Sequence, residues 1–313
     1  MLPYFPFKDD TFKMTLGIQA LRGSLIEIEE ASYLGKIKLK DELLNDAYEH
    51  YFQAMPETES LQWEAIEMLL PHMAHHYPHY FTLTINGTDW TWRNALLGQE
   101  TRFVLGEQQS LPLPPLDWLG RQVQEDLLLL KSTKTEGMPL VAGQLCFPNA
   151  WCLADTLSHS FLDIHHAVPQ FEEHLGQSSM LLLERLKAGR PVWRVNWAIK
   201  SLSRLNLTPR FFHEVERSYQ KLTKENIGAH CFLRIERQAL SCLPKTHGIL
   251  FTIHTYQDAI EHVIQSSEDA HCLANVIRTT PKEMLAYKGI TPFGDMLLHY
   301  LEAFDHRGSN TLQ

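Results

Sequence analysis

The chain lacks the short motifs with which many enzymes bind nucleotides or expose a nucleophile. The loops GxGxxG and GxxxxGK with a following Ser or Thr do not occur, and GxSxG is missing as well. The five cysteines form no CxxC or CxxCH pair, so we expect no thiolate zinc or iron–sulfur site and no covalent haem. Their odd number favours reduced thiols over disulfides. A redox cofactor would therefore need other ligands.

Positive charge and long apolar runs are scarce too. The 313 residues carry a formal net charge of -9, and no basic block offers the clustered Lys and Arg that nucleic acid requires. The longest apolar runs, such as residues 127–130, are far shorter than the roughly 20 residues of a membrane span. The first ten residues do not have the pattern of a secretory signal. We therefore expect a cytoplasmic protein without nucleic-acid or membrane partners.

What the chain does contain is a mixture of helical and strand-like segments. Apolar spacing predicts long helices at residues 57–76 and 116–131. Alternation and the hairpin signal Asn86-Gly87 predict strands at residues 80–85, 89–92, 192–199, 232–240 and 248–256. No repeat or sharp boundary divides the chain. We therefore predict one domain, residues 1–313, with an α+β fold built on a central, mostly antiparallel sheet with flanking helices.

The sequence contains 17 histidines, which are potential ligands for a metal or haem iron. In the segment IHHAVP, Ile164 and Val168 would anchor a turn that holds His165 where a ring nitrogen can reach such an iron. The other interpretation is that His165 caps a helix or fills a polar pocket. A further four histidines between residues 72 and 79 have helical spacing. A proline interrupts them and HEXXH is absent, so we predict a solvated surface there.

The segment RIERQ places charged residues within a predicted strand. Arg234, Glu236 and Gln238 would share one face, and Arg237 the other. An arginine there suits a carboxylate such as a haem propionate, and a buried glutamate suits a cationic amine or a proton relay. The other interpretation is an exposed strand with surface ion pairs.

A second polar pair comes from the segment WRVNW. Its tryptophans and Val195 would share one side of a strand and contribute to the core. Arg194 and Asn196 would point to the other side. We therefore expect Arg194 and Asn196 to add to the same polar pocket as RIERQ.

Ten segments, taken in order, resemble the haem-dependent oxidative N-demethylase family. They are YFPF (4–7), Leu16-Gly17, YPHYF (77–81), QEDL (124–127), CFPNAW (146–151), IHHAVP (164–169), RVNW (194–197), RIERQALSCLP (234–244), FTIHTY (251–256) and YKG (287–289). Their number and order make the resemblance fairly specific. Ala167 stands where the family pattern has proline, and Cys242 and His254 stand where arginine is common.

The resemblance implies a PAS-like, haem-binding core and roles for particular residues. His165 would be the axial ligand of a non-covalent haem b. Arg234 and Arg237 would be candidates for propionate binding, with Gln238 and Arg194 beside them. Glu236 would pair with a substrate ammonium or relay protons. Tyr256 and Asn196 would support it.

The resemblance also implies a reaction and its partners. The chain would be a monooxygenase that uses O2 to remove a methyl group from a small secondary amine such as dimethylamine, releasing formaldehyde. Electrons would come from NADPH through a reductase subunit with flavin and an iron–sulfur centre. Two alternatives remain open: a non-catalytic, haem-binding, PAS-like sensor or carrier, and a haem-free interaction protein.

Overall fold

A large antiparallel sheet forms the centre of the molecule. The computed structural model describes residues 2–7 and 10–308, with side chains as far as residue 304. The strands are β1 (Gln19–Ala20), β2 (Phe52–Ala54), β3 (Phe81–Asn86), β4 (Asp89–Asn94), β5 (Gln99–Val104), β6 (Asp126–Leu130), β7 (Leu140–Gln144), β8 (Val192–Lys200), β9 (Phe232–Cys242) and β10 (Ile249–Ala259). Seven of them form the sheet β1-β8-β9-β10-β6-β7-β2, and β3-β4-β5 form a small second sheet.

Helices surround the large sheet. They are α1 (Glu30–Asp46), α2 (Tyr48–Tyr51), α3 (Glu59–His76), α4 (Pro115–Gly120), α5 (Phe161–Ile164), α6 (Gln177–Arg185), α7 (Phe212–Tyr219), α8 (Ile227–His230), α9 (Ile260–Val263), α10 (Ser267–Thr279), α11 (Lys282–Tyr287) and α12 (Gly294–Gly308). Among the helices described, none has the length and apolarity needed to cross a membrane. The architecture is α+β, with a large antiparallel sheet and helices, as the sequence indicates.

The two long strands β9 and β10 fix which side chains share a face. They pair along 11 residues each, with Glu236 opposite Thr255 and Arg237 opposite His254. Because side chains alternate along a strand, Arg237 and His254 point to one face while Glu236 and Thr255 point to the other. We call the Glu236 side the front face and the His254 side the back face.

Different layers cover the two faces. The back face packs against the main core, in which side chains of α1, α3 and the small sheet meet Leu127 and Ala239. The front face of β10 and β6 carries smaller apolar clusters, where Ile164 contacts the group around Ile253. Phe161 joins a neighbouring cluster on the same side. The chain around α5 and α6 therefore lies over the front face.

The predicted helix at residues 116–131 is wrong in its second half. Helix α4 ends at Gly120, and residues 126–130 form the interior strand β6, paired with both β10 and β7. All of Asp126–Leu130 is buried. A run of leucines covered on both faces has no alternation, so periodicity does not separate a buried strand from a buried helix.

Candidate functional site

A strip of polar side chains crosses the front face on β8 and β9. Arg194 lies opposite Gln238 in the sheet register, and Asn196 lies opposite Glu236. The Glu236 carboxylate accepts a hydrogen bond from Gln238 Nε2 at 3.1 Å and one from Asn196 Nδ2 at 3.4 Å. Four of the residues singled out from the sequence are thus brought together on one face.

Arg234 lies on the same face, next to Glu236 along β9. It is fully buried, and its Nε donates to Glu236 Oε1 at 3.3 Å. Its Nη1 donates to the Leu205 carbonyl at 2.8 Å, and Nη2 donates to the Phe147 carbonyl. These carbonyl contacts fix the guanidinium of Arg234. The fixed guanidinium in turn holds the carboxylate of Glu236 in place.

His165 begins the turn that follows α5. Its Nδ1 lies 2.8 Å from the Phe161 carbonyl oxygen, which can only accept, so Nδ1 carries the proton and donates. Its ring stacks on Phe171, with centroids 4.4 Å apart. Burial lowers the pKa of His165, and the nearby charge of Arg194 adds to that effect. The ring is therefore neutral near pH 7, with the lone pair on Nε2.

The backbone after His165 is irregular. Gln170 has φ 59°, in the left-handed region that non-glycine residues seldom adopt. The next turn, Glu172–Gly176, is a π-helix, which is frequent at functional sites. Pro169, Gln170 and His174 line an open cleft of about 300 Å³. This cleft borders the end of the IHHAVP segment, and His165 is not among the described residues that line it.

Tyr256 and Arg237 lie on the back face, away from Glu236. There Glu27 accepts hydrogen bonds from the Tyr256 hydroxyl and forms an ion pair with Arg237 Nε at 3.0 Å. Arg237 also donates to the carbonyls of Ser24 and Leu25 at 2.6 and 3.1 Å. The structure therefore does not bring these two predicted site residues to the polar strip.

The same back-face network contains His254. This fully buried imidazole lies 2.9 Å from Glu125 Oε1 and 3.1 Å from Glu29 Oε2. Lys36 Nζ lies 3.3 Å from His254 Nε2 and pairs with Glu29. Burial opposes the charge of His254, but Glu125 and Glu29 outweigh it and raise its pKa. Lys36 therefore places a second cation beside His254.

The predicted histidine-rich surface holds for three of its four residues. His75, His76 and His79 are exposed. His72 is not part of that surface, because its Nε2 accepts from the Leu25 amide at 2.8 Å and burial lowers its pKa to about 4. Within the described residues, no three His, Cys, Asp or Glu side chains are grouped to hold a metal ion.

The fold and the front face define an α+β protein in which the sheet offers a carboxylate and several cations to a ligand, and the turn after α5 offers the imidazole of His165. The family described as haem-dependent oxidative N-demethylase, alpha subunit-like, matches residues 17–298 of the 313. The chain belongs to this family. Membership indicates haem dependence and oxidative N-demethylase-like function, which is oxidoreductase chemistry, and the alpha-subunit designation implies a partner subunit.

Two features of the front face fit a haem. The Phe161 carbonyl fixes the tautomer of His165 and leaves the Nε2 lone pair for iron, an arrangement common among histidine ligands. Arg194 Nε is buried and has no hydrogen-bond partner among the described residues. An orphaned guanidinium donor inside a protein is costly unless a ligand supplies an acceptor. A carboxylate such as a haem propionate is such an acceptor.

Sequence reasoning missed three residues around Glu236. Burial lowers the pKa of both Lys200 and Lys288. The Glu236 carboxylate offsets part of each shift. Partial burial raises the pKa of Tyr287, whose side chain is 46% exposed, and Glu236 adds to the shift. Tyr287 and Lys288 belong to the YKG segment, which marked the family resemblance without indicating a place in the site.

Proposed function

We propose that this chain is the haem-binding catalytic subunit of an oxygen-dependent N-demethylase with a PAS-like core. His165 would hold the iron of a non-covalent haem b through its Nε2. The observation that carries this assignment is the hydrogen bond from Nδ1 to the Phe161 carbonyl, which presents a neutral imidazole with a free Nε2. Haem, when bound, supplies the activation of O2.

The polar strip positions the substrate. A protonated secondary amine such as dimethylamine pairs with the Glu236 carboxylate, which Arg234, Asn196 and Gln238 hold in place. Glu236 would then relay the ammonium proton toward solvent so that the amine reacts in its neutral form. Hydroxylation of an N-methyl carbon would take one oxygen atom of O2, while two electrons from the partner and two protons would reduce the other atom to water. The resulting carbinolamine would break its C–N bond to give a primary amine and formaldehyde.

Electrons come from a partner. The family designation implies a second subunit, and we assign it the reductase role, with NADPH, flavin and an iron–sulfur centre. On the back face, Arg237 and Tyr256 stabilise Glu27 behind the sheet. In this proposal both residues support the site through the sheet.

Release of formaldehyde tests the function. Haem-supplied protein, given a reductant, O2 and dimethylamine, is expected to release formaldehyde and methylamine in equal amounts. Trimethylamine and methylamine are the comparison substrates. A protein that binds haem but releases no formaldehyde from any of them would be a haem carrier or sensor and would overturn the enzymatic proposal.

A further inference from the structure

Positive charge exceeds negative charge around Glu236. Its carboxylate acts on four neighbouring cations, Arg194, Lys200, Arg234 and Lys288. Arg234 is also within reach of the buried Asp126 carboxylate. Because Asp126 also interacts with the buried Lys40, the cations around these carboxylates outnumber them, and buried charges need partners of opposite sign.

Three of these cations keep unused donors. Arg194 Nε has no acceptor within the described part of the chain. Lys288 Nζ donates to the Trp197 carbonyl at 2.7 Å and lies 4.2 Å from the centre of the Trp197 ring, and Lys200 Nζ donates to the Lys288 carbonyl at 3.2 Å. Each ammonium has three N–H donors, so these contacts leave further donors for a ligand.

The two lysines are held in place and shielded from water. Lys200 is 9% exposed and Lys288 is 8% exposed. Burial lowers the pKa of Lys288 to about 7, with the charges of Lys200 and Arg194 adding to the shift. Burial likewise lowers the pKa of Lys200 to about 8. An anion at this place would relieve the repulsion and keep both amines protonated.

We propose that Lys200, Lys288 and Arg194 form a carboxylate clamp that takes the propionate groups of the bound haem, a role that rests on the proposed haem-binding function. A haem carries two propionates, which would supply negative charge to this cluster of cations. The lysines would then be positioning residues that orient the porphyrin, while His165 binds its iron.

The porphyrin's own carboxylates test the clamp without any substitution. Haem and haem dimethyl ester share iron and ring, but the ester has no anionic propionate. Titration followed by the Soret band should show that wild-type protein binds haem about tenfold to a hundredfold more tightly than the ester. Equal affinities would overturn the clamp and leave the role of His165 standing. Absence of binding by either porphyrin would overturn the proposed function itself.

Lysine variants give the second arm. Lys288→Met and Lys200→Met should weaken haem binding about tenfold and leave ester binding unchanged. Lys282→Met is the control, because Lys282 is exposed and begins α11, the helix that ends at Tyr287. It should change neither haem binding nor ester binding. Equal losses of haem and ester would mean that the lysines only anchor α11 to β8.

Two further measurements cover folding and competing anions. Circular dichroism checks that each methionine variant is folded. If Lys288→Met fails to fold, Lys288→Arg replaces it; this variant keeps the charge and should still bind haem more tightly than the ester. Inorganic phosphate added to wild-type protein should compete with haem only weakly. If phosphate displaces haem at the same concentration at which it binds the haem-free protein, the site is a general anion site and the propionate assignment is wrong.

Discussion

At the residue scale, the proposed role of Glu236 is to pair its carboxylate with a cationic substrate. In Glu236→Gln the shape is kept, but the carboxylate that pairs with the ammonium is lost. We expect kcat/KM for the amine to fall about tenfold to a hundredfold, the usual range for a charge-assisted hydrogen bond. The Soret spectrum should persist. Glu261→Gln, at an exposed position, is the control; an unchanged kcat/KM in Glu236→Gln would remove this residue from substrate binding.

His254 makes stability depend on pH. Its pKa in the folded protein is raised by Glu125 and Glu29 against burial, so folding takes up protons. This contribution is complete below the unfolded pKa near 6.5 and disappears as pH rises through the higher folded pKa. The comparison protein is His254→Arg, whose charge does not titrate in this range. As the pH is raised, the unfolding free energy of wild-type protein should fall by about 1–3 kcal/mol relative to that variant.

Denaturant unfolding across that pH range measures the effect. The difference between the two proteins should be constant below pH 6.5 and grow above it. A parallel pair of curves throughout would show that His254 is not protonated between its two carboxylates.

At the scale of elements, the turn after α11 depends on Gly289. This residue has φ +73°, and a Cβ there would meet Tyr219 Oη at 3.4 Å and Lys200 Nζ at 3.5 Å. Left-handed backbone favours glycine at the end of a helix. We expect Gly289→Ala to lower the unfolding free energy by about 1–2 kcal/mol. Gly294→Ala, where φ is ordinary and the nearest atom lies at 3.6 Å, should cost much less in the same denaturation experiment.

Element types were predictable where local signals were strong. The Asn86-Gly87 hairpin, helix α3 and strands β8, β9 and β10 follow the predicted segments closely. Strand β6 was not predictable, because its buried leucines show no alternation of apolar and polar residues. The polar strip was predicted from alternation within β8 and β9. The position of Tyr256 on the other face depends on the pairing of β10 with β9, which is set by the turn between residues 242 and 249 and not by either strand alone.

For the whole molecule, haem should act as a stabilising ligand. Binding to the folded state alone adds about 2.7 kcal/mol when free haem is 100-fold above its Kd. Haem should therefore raise Tm by several degrees in a thermal unfolding experiment. His165→Ala should show little of this rise, and a rise equal to that of wild-type protein would place the binding energy elsewhere.

The coordination of iron by His165 is tested most directly by the visible absorption spectrum of haem-supplied protein. Wild-type protein should show a Soret band typical of a histidine-ligated haem. His165→Ala should lose that band or show it strongly weakened, while His75→Ala, at an exposed position on α3, should match wild-type protein. A Soret spectrum in His165→Ala identical to that of wild-type protein would contradict the assignment of the ligand.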